Sequence, residues 1–167
     1  VDDATVDATL PHCTPVIGDM IKLQRLTGMR PGEVCCLTPR MLDRTAKVWV
    51  ATLPEHKCAW RGKDRRIYIG PQAQTIVLKY LLRAEDAALF SPQESHSQWL
   101  EAKRAARVTP DHLGNKPGSN RRPNARLLGT EYNTSSYRRA IAYACAKAFP
   151  EPKECSKQES REWRVKH

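Results

Sequence analysis

The sequence predicts a mainly α fold carrying one small antiparallel β-hairpin, an α+β domain. Three observations predict it. Apolar residues recur at three- and four-residue spacing through most of the chain. Two short β-branched and aromatic runs, at 48–53 and 65–69, sit together in its middle. Proline or glycine stands at nearly every point where the helical period breaks. At 167 residues the chain is long enough for one domain with its own core.

Residues 2–10 form a first short helix, with Val6 and Leu10 four apart and Pro11 stopping it. Thr14-Pro15 is a cap followed by proline and starts the second helix. Its stripe is Val16, Met20, Leu23 and Thr27, and Gly28 ends it. Pro31 opens a third helix, because a residue without an N–H loses nothing at a first helical position. Residues 39–44 read as a polar connection. The runs at 48–53 and 65–69 are the strands of the hairpin, with a turn at Arg61-Gly62-Lys63-Asp64. Gly70-Pro71 starts a helix whose buried stripe is Ile76, Val77, Tyr80 and Leu81, widened by Leu78 and Leu82. Ser91-Pro92 starts another, running to about Arg107. Asn133-Thr134 starts the last one, with Tyr137, Ile141, Ala144, Cys145 and Ala148 on its apolar face and Pro150 ending it. Tyr80, Tyr137 and Tyr143 read as core residues.

Charge is distributed unevenly. The net charge is +10. Residues 1–60 balance seven basic against seven acidic side chains, and the remainder holds twenty-one basic against eleven acidic. A basic half beside a neutral half points to a polyanion, most simply nucleic acid. The richest stretch runs from Lys103 to Arg126 and sets seven cations, among them Arg121, Arg122 and Arg126, against the single acid Asp111. Much of it lies in a Pro-, Gly- and Asn-rich segment, about 108–132, expected to be a flexible basic loop that contacts DNA phosphates.

No metal site is predicted. The six cysteines contain no Cys-x-x-Cys pair, Cys35-Cys36 fits no zinc spacing, and His12-Cys13 and His56-x-Cys58 are weak signals. Cys35, Cys36 and Cys145 read as small buried hydrophobes. No run of about 18 apolar residues is present, so no membrane span is expected. The start Val1-Asp2-Asp3 lacks a signal peptide's basic and apolar regions. Free cysteines then indicate a reducing cytoplasm, and the absent initiating methionine indicates a domain cut from a longer protein.

One stretch carries a motif: Thr27-Gly28-Met29-Arg30-Pro31-Gly32-Glu33-Val34-Cys35-Cys36-Leu37. Arg30 stands at a helix–helix junction, and Glu33 lies in the first turn of the following helix, where a carboxylate suits the dipole. This stretch resembles the first catalytic box of the tyrosine recombinases, the phage-integrase family, at every typed position. The resemblance implies an integrase-type catalytic domain over residues 1–167, double-stranded DNA as partner, assembly with other protomers into a tetramer, and no cofactor. It implies strand cleavage by a tyrosine hydroxyl through a phosphotyrosine intermediate. Arg30 would hold the attacked phosphate, because a guanidinium offers permanently charged paired donors. Glu33 would support a neighbouring basic group or cap its helix.

The family also places a lysine on its hairpin to protonate the leaving 5′ oxygen. Lys57, in Glu55-His56-Lys57-Cys58, matches that place, although Cys58 stands where threonine is usual. Lys63 at the turn is the rival. Arg61, Lys63 and Arg65 otherwise read as contacts to the DNA backbone. The family's second box, His-x-x-Arg, is missing after Lys57, and Tyr68, Tyr80, Tyr132, Tyr137 and Tyr143 all precede its expected place. The chain therefore reads as a truncated catalytic domain, unable alone to cut DNA. The alternative is a basic DNA- or RNA-binding module without chemistry.

Overall fold

The computed structural model describes residues 1–54, 64–110, 112–113 and 127–150. It contains six α-helices and three short strands: α1 (Asp3–Thr9), α2 (Pro15–Thr27), α3 (Pro31–Cys36), β1 (Leu42–Asp43), β2 (Trp49–Leu53), β3 (Arg65–Ile69), α4 (Pro71–Leu78), α5 (Pro92–Ala105) and α6 (Thr134–Ala148). The fold is mainly helical with one antiparallel sheet, ordered β1-β2-β3.

Most boundaries follow from capping chemistry. The Asp2 carboxylate accepts the Thr5 N–H at the start of α1, Ser91 Oγ accepts the Gln93 N–H at α5, and Asn133 Oδ1 accepts the Ser136 N–H at α6. Thr14 precedes Pro15 in extended conformation, but its hydroxyl meets Ser95 Oγ at 2.6 Å and so ties α2 to α5. Gly28 closes α2 in the left-handed region at φ 67°, where a Cβ would be strained.

The sheet pairs Trp49 with Ile69, Ala51 with Ile67 and Leu53 with Arg65. Alternation then sends Ala51, Leu53, Ile67 and Ile69 inward, all nearly inaccessible. They meet Val16, Met20 and Leu23 of α2, Val34 and Leu37 around α3, Val77 of α4, Leu89 and Phe90 before α5, and Tyr137 of α6. Each of these helices supplies one face to a single core, and α2 runs through its centre.

Four expectations are corrected. Residues 39–44 are more than a polar connection: a 3-10 turn at Pro39–Met41 leads into β1, which adds a third strand by pairing Leu42 with Ala51 and Asp43 with Val50. The helix after Pro71 stops at Leu78. Its end tightens into i→i−3 bonds, Tyr80 N–H to Val77 and Leu81 N–H to Leu78. Leu78 and Leu82 stand more than 100° around the helix from the centre of the Ile76, Val77 and Tyr80 face, so they face water and widen no buried stripe. Tyr143 is 67% exposed, because it lies well off the face of α6 marked by Tyr137, Ile141 and Ala144. Cys36 is likewise exposed, whereas Cys35 is buried and Cys145 half-buried.

One buried polar cluster braces the helices. Asp19 of α2 is 7% exposed. Its carboxylate accepts from Lys79 Nζ at 2.9 and 3.2 Å and from the Tyr80 hydroxyl at 2.9 Å. Burial raises the Tyr80 phenol above its ordinary range, and Asp19 adds to the effect. The Tyr80 ring meets Phe90 edge-on at 4.9 Å. Among the described residues, no helix is long and apolar enough to cross a membrane.

Candidate phosphate-binding site

The break between α2 and α3 determines where Arg30 points. Gly28 turns the chain, Met29 inserts into the core at 3% exposure, and Arg30 is extended before Pro31. Anchored on both sides, Arg30 sends a half-exposed guanidinium outward. Three residues on, Glu33 is buried at 7% exposure. Its Oε2 accepts the Arg30 backbone N–H at 2.8 Å and satisfies a donor that the first turn of α3 cannot.

The same carboxylate reaches across to the sheet. Arg65, the first residue of β3, donates Nε to Glu33 Oε1 at 3.2 Å and Nη2 to Oε2 at 3.4 Å. The Arg30 guanidinium lies 3.8 Å from that same Oε1. Glu33 thus stands between two guanidiniums, one from the helix junction and one from the hairpin. Burial alone would raise its carboxyl. The Arg30 N–H and the charge and hydrogen bonds of Arg65 outweigh burial and hold it below the ordinary carboxylate value.

This arrangement has a chemical consequence. One negative charge orients two positive ones, and donors on both forks remain for a tetrahedral oxyanion. The local charge is positive and the geometry is fixed by backbone on both sides. Arg30, Glu33 and Arg65 are brought together. Lys57, Arg61, Lys63, Arg121, Arg122 and Arg126 lie outside the described residues. Sequence reasoning took Arg65 for a contact to the DNA backbone and missed its ion pair with Glu33. No local pattern announces a pair 32 residues apart.

Tyrosine environments differ sharply. Tyr132 and Tyr137 are buried, and burial raises both phenols. Tyr68 and Tyr143 are mostly exposed. Among the described cysteines, Cys13, Cys35 and Cys145 are free thiols. Burial pushes the Cys35 thiol up to about 12, which keeps it protonated and unreactive at neutral pH. No family model matches this chain, and no curated protein or solved structure matches it.

A pH-dependent prediction follows from Glu33. A carboxyl held below its ordinary value of 4.5 contributes stability in full above that value, and the contribution is lost as pH falls through the folded-state value. Glu33→Gln should therefore cost about 1–2 kcal/mol at neutral pH, discounted because both guanidiniums are partly solvated. The gap between the two proteins should shrink below pH 4.5. Denaturant melts from pH 7 to pH 3 measure it, and a gap unchanged with pH would remove Glu33 as the ionised anchor of this site.

Proposed function

We propose that this chain is part of the catalytic domain of an integrase-type tyrosine recombinase that binds double-stranded DNA in the cytoplasm. The observation that carries the reading is the pair of guanidiniums held on Glu33. Arg30 is the arginine of the box motif, and Arg65 leaves the hairpin beside it. A scissile phosphodiester gains negative charge as its phosphorus is attacked, and aimed guanidiniums meet that charge without reorganising. Arg30 acts on the non-bridging oxygens, Arg65 holds the adjoining backbone, and Glu33 positions both. Lys57 is the proposed acid for the leaving 5′ oxygen, with Lys63 as its rival. The cations beyond residue 60, Arg121, Arg122 and Arg126 among them, track phosphates along the duplex.

The test has two arms. In the full-length protein, incubation with a nicked suicide duplex should trap a covalent 3′-phosphotyrosyl adduct, and binding without any adduct would favour the module without chemistry. In the 167-residue chain the same duplex should be bound weakly and left uncut. Duplex affinity should fall with salt at a slope of about −0.9 per phosphate contacted. Replacing Arg121 and Arg122 by glutamine should flatten that slope and leave sequence preference unchanged. An unaltered slope would reject the 103–126 segment as a contact surface.

A further inference from the structure

A second feature lies away from Arg30 and Arg65. Between α5 and α6 there is a cleft of about 370 Å³, within the range of small-ligand pockets, ~300–1,000 Å³. Trp99 and Tyr143 line it from opposite helices, and His12 and Lys147 stand at its margin. Both rings are exposed, Trp99 at 38% and Tyr143 at 67%. A folded domain normally turns such rings inward, where their area is worth most. Two neighbours on α5 already meet the Trp99 ring: His96 stacks on it with centroids 5.5 Å apart, and the Lys103 ammonium sits 3.9 Å from its centre.

Among the described residues, no acid lines the cleft. On α5 the acids Glu94 and Glu101 fall about 140–160° around the helix from Trp99, on its far side. Helix α6 contains no acid at all. Among the described residues neither Lys103 nor Lys147 is paired with a carboxylate. A cationic ligand would be repelled here, and a purely apolar one would leave these ammoniums unanswered. A flat π-system carrying negative charge satisfies both the rings and the cations.

We infer that this cleft binds an unpaired nucleotide of a single nucleic-acid strand. The base stacks on Trp99 and against Tyr143. Lys103, an exposed and flexible side chain, gives up its place over the indole to the base and pairs with a phosphate. Lys147 holds the phosphate on the other side. Stacking on aromatic rings with cations along the backbone is how single strands are held without regard to sequence. The site is independent of the Arg30–Glu33–Arg65 cluster, so either assignment can fail alone.

The test uses fluorescein-labelled (dT)10, (U)10 and an abasic decamer of equal charge, with binding followed by anisotropy. The chain should bind the base-bearing decamers more tightly than the abasic one. Trp99→Ala should weaken them about tenfold or more, Trp99→Phe should restore most of the loss, and neither should alter the abasic decamer. Tyr143→Ala, at a more exposed position, provides a second variant should Trp99→Ala fail to fold. A preference between (dT)10 and (U)10 supports the inference in either direction and identifies the sugar. Equal binding of the abasic decamer, or unchanged affinity in both Trp99→Ala and Tyr143→Ala, overturns it. Measured on duplex DNA in parallel, these variants should leave affinity at the wild-type level, whereas an unsubstituted chain that binds (dT)10 but no duplex would instead reject the recombinase reading.

Discussion

If the chain is the recombinase proposed above, replacing Arg30 by alanine is expected to abolish strand cleavage by the full-length protein while lowering duplex affinity only slightly. The reason is differential binding. In the ground state Arg30 is one cation among many along the DNA backbone, and its loss removes one screened contact. At the transition state it faces charge that has concentrated on the non-bridging oxygens, and only interactions that strengthen there accelerate the reaction. Removing one such donor costs ~3 kcal/mol or more, a factor of about 10²–10³ in rate. Arg30→Lys should recover little, since an ammonium lacks the planar fork. Single-turnover cleavage of a suicide duplex, set beside anisotropy titrations, measures the two quantities separately. Equal losses in rate and affinity would mean that Arg30 merely binds DNA, and unchanged cleavage would remove it from the active site.

Asp19→Ala should be the most damaging polar substitution for the fold, at about 3 kcal/mol. Two partners are left behind, and they do not count equally. The Lys79 side chain is 58% exposed, so water receives its ammonium at small cost. The Tyr80 hydroxyl belongs to a residue only 5% exposed and loses its acceptor inside the core. Thermal melts should show a drop of roughly 6–12 °C for a domain of this size. Lys79→Ala should cost about 1 kcal/mol or less. Combining Tyr80→Phe with Asp19→Ala should add little to Asp19→Ala alone, since the two share one interaction. A fully additive double variant would show that the cluster is not the brace described here.

Legibility from sequence followed the range of the interactions. Helix starts at Pro15, Pro31, Pro92 and Thr134, and the stop at Gly28, are local chemistry and could be read from the residues themselves. Strands β2 and β3 carried their own two-residue alternation. Strand β1, at two residues, is too short to have a period, and only its pairing with Ala51 and Val50 makes it a strand. Leu78 and Leu82 were judged by residue type, although the 100° step already placed both off the face of Ile76, Val77 and Tyr80. Tyr143 was judged by residue type, although its phase relative to Tyr137 already placed it off the buried face. At the candidate site, Arg30 and Glu33 belong to one turn and could be read together. Their meeting with Arg65 is tertiary and could not.

That separation also has a kinetic side. Arg30 and Glu33 are neighbours as soon as α3 forms, on the time scale of local helix growth. Arg65, 32 positions beyond Glu33, joins them only after its strand is brought into register against Trp49–Leu53, a closure that non-local pairing makes slower. On a ribosome emitting ~5–20 residues per second, Arg30 leaves the exit tunnel seconds before its partner. During that interval a nascent chain presents one guanidinium without the second, and the pair on Glu33 comes into being only when the hairpin closes.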